Sequence, residues 1–140
     1  MTVRKRVLLA TVLALVLALP MQAEYFCKRY DYAGESYLKL NQKVGDLEVM
    51  DLKFELPVQG MAQNRCTVSV KNYGAKRLKV NLAIALFDEN GNLVGCGTTG
   101  TKFSGTRGGE VERYYVTFDY VGQNIKTTKF IYLTVETALQ

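Results

Sequence analysis

The chain lacks histidine altogether and has only three cysteines in 140 residues. Without histidine, the commonest general base and metal ligand is missing, and neither a Ser-His-Asp nor a Cys-His nucleophilic site can be built. No two cysteines have the C-x-x-C spacing that is typical of zinc sites. The sequence therefore predicts a protein that is not an enzyme and that holds no metal or cofactor.

A long apolar run occurs only near the start of the chain. Basic residues at positions 4–6 precede an apolar stretch from Val7 to Leu19 that is interrupted only by Thr11, and Pro20-Met21-Gln22-Ala23 follows. This is the order of a secretory signal peptide, which predicts cleavage after Ala23 and export, with the periplasm as the expected compartment. A retained membrane anchor is the alternative, but a thirteen-residue helix spans only about 20 Å of a roughly 30 Å hydrocarbon core.

A strong excess of one charge is also missing once the signal peptide is set aside. The formal charge of +5 includes the three basic residues of that peptide, and the rest of the chain carries 15 basic against 13 acidic residues. Charges balanced in this way along a chain are typical of a solvated surface. We therefore expect no binding to nucleic acid.

The clearest fold signal is a β-hairpin between Leu78 and Thr98. Apolar side chains occupy every second position of its first half, at Leu78, Val80, Leu82, Ile84 and Leu86. Successive side chains of a strand point to opposite faces, so this period of two predicts a strand with one buried face. Asp88-Glu89-Asn90-Gly91 then has the chemistry of a tight turn.

Similar alternation predicts strands over 47–56, 65–72, 110–119 and 129–135, which with the hairpin makes six. No helical pattern occurs after the signal peptide. Many short strands, each with one apolar and one polar face, predict a single antiparallel β-sandwich domain over residues 45–140. The strand at 47–56 is expected to direct Met50, Leu52, Phe54 and Leu56 inward.

Two regions without clear periodicity are candidates for contact with a partner. A tyrosine-rich arm at 24–44 includes Tyr25, Tyr30 and Tyr32, whose rings could lie on the arm's own domain or on another protein. A glycine-rich loop at 100–109 is expected to be either mobile or tightly turned. Its Lys102, Phe103 and Arg107 suit protein contact.

Cysteines in an exported protein tend to oxidise, so one disulfide and one remaining thiol are the simplest expectation. Cys66 and Cys96 each fall on the apolar side of a predicted strand, which favours a bridge between them. Cys27 is the alternative partner or a free thiol. The other possibility is that all three are small buried apolar residues.

The stretch from Cys66 to Gly95 resembles the FxLYD domain, a bacterial and archaeal module of mostly unknown function. The family's naming pattern falls on Ile84-Ala85-Leu86-Phe87-Asp88, with Ile84 and Phe87 in place of its two aromatic residues. The resemblance implies an immunoglobulin-like sandwich, often outside the cytoplasm, with no catalytic residues to transfer.

These observations predict an exported, non-catalytic binding or protein-interaction module with an unknown protein partner in the cell envelope. One alternative is an accessory subunit that pairs with an envelope assembly through an edge strand, which would make a homo-oligomer possible. Another is a carrier of a small ligand, which predicts a cavity beside Tyr114 and Phe118.

Overall fold

The structure, a computed structural model, describes residues 23–55, 65–100, 105–120 and 125–140, so the predicted signal peptide lies outside the described residues except for Ala23. It is a sandwich of two antiparallel sheets, which confirms the predicted all-β fold. The described residues form the strands β1 (Glu24–Asp31), β2 (Tyr37–Val44), β3 (Leu47–Glu55), β4 (Arg65–Asn72), β5 (Leu78–Phe87), β6 (Leu93–Thr99), β7 (Val111–Thr117), β8 (Asp119–Tyr120) and β9 (Phe130–Leu139).

One sheet has the strand order β1-β9-β5-β6-β8, and the other has the order β2-β3-β4-β7. In a constant-type immunoglobulin domain the first, second, fifth and fourth strands share a sheet, whereas here β1 lies beside the last strand, β9. A short 3₁₀ turn at Ile125–Thr127 precedes β9. Within the ranges given above, no helix is long and apolar enough to cross a membrane.

The central hairpin forms as the sequence predicts. Alternate side chains of β5 are buried from Leu78 to Leu86, and β5 pairs with β6 across the turn. One carboxylate oxygen of Asp88 accepts hydrogen bonds from the backbone N–H groups of Asn90 and Asn92, at 2.9 and 2.8 Å. Hydrogen bonding from Asn92, first through its side chain, lowers the pKa of the Asp88 carboxyl. Gly91 takes the positive φ of 79° that the turn requires.

The arm at 24–44 forms two strands of the sandwich. Its first half is β1, which lies at one edge of the five-stranded sheet, and its second half is β2, at one edge of the four-stranded sheet. Burial alternates along β2 from Tyr37 to Val44, so the expectation that the arm has no period is wrong there, whereas β1 exposes most of its side chains. The backbone ladders to β9 and β3 fix the two strands in place. Between them, Tyr32 is buried in the core with its ring centroid 5.0 Å from that of Phe54.

Two β-bulges decide which residues of β3 and β6 face the core. In β3 the register to β4 shifts between Val49 and Asp51. Because an extra residue reverses the alternation, Leu47 and Val49 are buried on one side of the bulge and Leu52 and Phe54 on the other. The predicted inward position of Met50 is wrong, since Met50 is the bulged residue and is only half-buried. Leu56 lies outside the described residues.

The bulge in β6 changes the directions in which Cys96 and Gly97 face. Leu86 pairs with Gly95 and Phe87 with Leu93, so Val94 is the extra residue. Beyond it the alternation is reversed, and Cys96 faces solvent while Gly97 faces the core. A Cβ atom on Gly97 would collide with the backbone carbonyl oxygen of Thr117. The two sheets are therefore in close contact where β6 crosses β7.

The end of the sandwich near the start of β5 is held by buried polar groups. Asn72 donates from Nδ2 to the carbonyl oxygens of Lys76 and Thr106, at 2.8 and 3.1 Å. The Thr106 and Tyr114 hydroxyls are 2.5 Å apart. Leu78 and Thr106 exchange backbone hydrogen bonds. The described half of the glycine-rich loop, 105–109, is thus tightly turned and bonded to the sheets.

Candidate interaction surface

The outward face of the four-stranded sheet is an ordinary solvated surface. Cross-strand rows on this face carry charged side chains of both signs, among them Lys39, Asp51, Lys53, Glu55, Arg65 and Arg113. Arg65 forms an ion pair with Glu55, which lowers the pKa of the Glu55 carboxyl, and it lies over the ring of Tyr115 at 4.8 Å. We call this surface the charged face.

The outward face of the five-stranded sheet has a different composition. Three consecutive strands, β9, β5 and β6, present nine uncharged residues in three cross-strand rows. These rows are Phe130, Phe87 and Leu93; Tyr132, Ala85 and Cys96; and Thr134, Ala83 and Thr98. We call these nine residues the aromatic face.

The rings of the aromatic face form a groove. Phe87 and Tyr132 meet edge to face with centroids 5.4 Å apart. The guanidinium of Arg29, from the neighbouring strand β1, lies 3.7 Å above the centre of the Phe130 ring. Ala85 leaves space between the rings, and the turn at 89–91 completes a depression of about 570 Å³. This groove is mostly apolar, and its lining also includes the oppositely charged side chains of Arg29 and Glu89.

The nine residues of the aromatic face form an uncharged patch that is exposed to water. Single exposed apolar residues are common on soluble proteins, but contiguous exposed apolar patches mark sites of interaction. Tyr132 and Leu93 lie beside the phenylalanine rings of this face, and each is still 37% exposed to water. The arrangement can bind another apolar surface.

No known protein helps to interpret this surface. Comparison of the chain with family models, with curated proteins and with solved structures found no match. The resemblance to the FxLYD domain stays a prediction. The function must therefore be argued from the chemistry of the two outward faces. The described residues contain no cluster of three or more side chains that could hold a metal ion.

The structure does not bring the sequence-predicted contact residues together. Tyr32 is in the core, so the expectation that it contacts a partner is wrong. Tyr30 is half-buried, and burial raises the pKa of its hydroxyl, whereas Tyr25 is 75% exposed. Arg107 is exposed near the start of β5, at the far end of the sandwich from Tyr30, whose row contains Leu86. Lys102 and Phe103 lie outside the described residues.

The predicted disulfide is not formed, and all three cysteines are free. Cys66 faces the core from β4, as the alternation predicts. Cys96 faces outward from the other sheet, because the bulge at Val94 reverses the alternation of β6. The alternative partner, Cys27, is also exposed. It is three strands away from Cys96, about 14 Å at normal strand spacing, which is too far for a bridge.

The burial of Cys66 predicts that its thiol reacts more slowly than the exposed thiol of Cys27. Desolvation raises the pKa of Cys66 to about 12, and the side chain is enclosed in the core. Since only the thiolate reacts, iodoacetamide at pH 8 should alkylate Cys66 at least about a thousandfold more slowly than Cys27 in the native protein. Mass spectrometry of timed samples measures both rates, and urea should make them similar. Equal rates without denaturant would contradict the buried position of Cys66.

Sequence reasoning missed the aromatic face, although a signal for it was present. Ala83, Ala85 and Phe87 occupy the last three outward positions of β5, after Lys79 and Asn81, where a solvated strand would carry charged or polar side chains. Phe130 and Tyr132 do the same on β9. The lack of charge at these positions indicated a surface only once the pairing of β5 with β9 placed the outward residues of the two strands side by side.

Proposed function

We propose that this chain is an exported, non-catalytic protein-interaction module of the cell envelope, and that the aromatic face is its binding surface. The observation that carries the proposal is the contrast between the two outward faces. Charged side chains keep the charged face in water, whereas the nine residues of the aromatic face include none. On the same side of β5 and β9, Lys79 and Glu136 lie beyond this patch. Export is inferred from the pattern of residues 1–23.

The chemistry of the face suits a protein partner. Tyrosine and arginine are enriched among the residues that dominate binding energy at protein interfaces, and phenylalanine is enriched in the buried centre of interfaces. Phe87, Phe130 and Tyr132 form a ring cluster with Arg29 at its border. A partner with an apolar segment would fill the groove over Ala85.

The two alternative functions receive less support. An edge-pairing subunit would use an edge strand such as β1, β8, β2 or β7. The longest-paired of these in the five-stranded sheet, β1, carries Glu24, Lys28 and Arg29, charges of the kind that protect edges from pairing. A carrier needs space beside Tyr114 and Phe118. Tyr114 is buried with its hydroxyl bonded to Thr106, and the Phe118 ring stacks on Phe54 with centroids 6.2 Å apart.

Photo-crosslinking in the native envelope tests the proposal with matched sites. Tyr132 and Tyr115 are both outward-facing tyrosines, on the aromatic and the charged face respectively. A benzophenone amino acid introduced at position 132 should give a crosslinked protein product. The same group at position 115 should give little or none.

A substitution provides the affinity readout. Tyr132→Lys should weaken the interaction by about tenfold or more, since it introduces a charge at the centre of an apolar contact. Tyr115→Lys should leave the interaction unchanged. Equal crosslinking from both faces, or no effect of Tyr132→Lys, would refute the aromatic face as the binding surface.

A further inference from the structure

One cross-strand row of the five-stranded sheet runs from a cation to an anion. Arg29 pairs with Tyr132, Tyr132 with Ala85, Ala85 with Cys96, and Cys96 with Asp119. Directly paired residues of antiparallel strands share a face. The row therefore has a positive end on β1, a negative end on β8 and three uncharged residues between them.

The two charged ends cannot neutralise each other within one molecule. They are separated by four strand spacings, about 19 Å at the normal distance between strands. Both side chains are exposed. Arg29 has Asp31 as a neighbour within its chain, at 3.8 Å in solvent, and such an exposed pair contributes little. Arg29 is thus available to meet an anion from outside the molecule.

The row is self-complementary under a twofold rotation. The strand β5 is the third of five in the sheet, so an axis along β5 exchanges β1 with β8 and β9 with β6. When a second copy is placed face to face by this axis, Arg29 of each copy lies opposite Asp119 of the other. Tyr132 lies opposite Cys96, and Ala85 lies opposite itself. An isologous interface requires this kind of pairing.

We propose that the occupant of the aromatic face is a second copy of this chain, bound face to face about a twofold axis along β5. The inference rests on the proposed function of the face and names its partner. Two sheets packed in this way run nearly parallel, within about 30°, as in other face-to-face sheet packings. The interface would have an apolar centre and an Arg29–Asp119 ion pair at each side.

Charge exchange tests this arrangement. The full chain, purified after export, is studied by sedimentation equilibrium at low salt, with circular dichroism to verify the fold of each variant. The unmodified protein should be a dimer. Arg29→Glu and Asp119→Lys should each weaken the dimer by about tenfold or more, since each change places like charges opposite one another twice. The double variant should recover most of the affinity.

A matched control and a second probe complete the experiment. Arg113→Glu reverses a charge on the charged face and should leave dimerisation unchanged. Ala85→Lys should separate the copies, because it places two cations opposite each other on the axis. Cys96 should be alkylated more slowly as the protein concentration rises.

Several results would overturn the inference. A monomer at all concentrations would do so, as would a dimer that neither charge reversal weakens, or a double variant that stays as weak as the single ones. If the protein is monomeric but position 132 still crosslinks to an envelope protein, the proposed function stands and only the second copy is refuted. If position 132 gives no product and the protein is monomeric, both fail.

Discussion

Replacing Asn72 with alanine is expected to lower the free energy of unfolding by about 3 kcal/mol, because buried hydrogen-bonding groups lose their partner. Asn72 is fully buried at the end of β4. Its Nδ2 donates to the carbonyls of Lys76 and Thr106, and its Oδ1 accepts from the N–H of Gly74 at 2.9 Å. One side chain thus holds together the turn after β4 and the loop before β7.

Urea denaturation followed by circular dichroism measures this loss. Asn81 supplies the matched control, since its amide is exposed on β5 and donates to the exposed carboxylate of Glu136 at 3.2 Å. Asn81→Ala should change the free energy of unfolding by no more than about 0.5 kcal/mol. If the two substitutions had equal effects, the buried hydrogen bonds of Asn72 would not be stabilising this end of the sandwich.

The second large effect is expected at Gly97. By strand propensity alone, replacing a glycine within β6 by alanine should stabilise the protein. The structure predicts the opposite sign. A Cβ atom at this position would overlap the carbonyl oxygen of Thr117 and lie 2.7 Å from Cγ1 of Val116. Since backbone in β7 must move to relieve the overlap, we expect Gly97→Ala to destabilise by about 3 kcal/mol.

Gly100, just after the end of β6, is the control for this substitution. A Cβ atom there would have only the Asn81 side chain nearby, at 3.9 Å. Gly100→Ala should therefore have little effect on the midpoint of urea denaturation. A neutral or stabilising Gly97→Ala would mean that β6 and β7 are farther apart than the structure places them.

Gly97 and the bulge at Val94 explain how the aromatic face is formed. Gly97 allows β6 to lie against β7, and the bulge at Val94 directs Cys96 outward into the same row as Ala85. The packing of the inward side of β6 against β7 thus determines which residues β6 presents on its outward side. A substitution at Gly97 should weaken binding through the aromatic face even though its own side chain would point inward.

The sequence by itself determined the sandwich and the inward face of most strands. A period of two in apolar residues has one physical solution in a soluble chain, which is a sheet that buries one side. The buried positions of β4, β5 and β7 and the turn at 88–91 are as the sequence predicts. In these elements, the strand conformation that the local sequence favours also buries the apolar side chains in the core.

Tertiary structure decided the rest, because the deciding contacts join residues that are distant in the chain. The first half of the arm at 24–44 became strand β1 only through the ladder that β9 offers, since its own side chains give no clear periodic signal. The bulges at Met50 and Val94 reversed the alternation and with it the position of Cys96. Above all, the aromatic face exists only because β9, β5 and β6 lie side by side. The uncharged outward residues of each strand form one continuous surface only when the three strands are brought into one sheet.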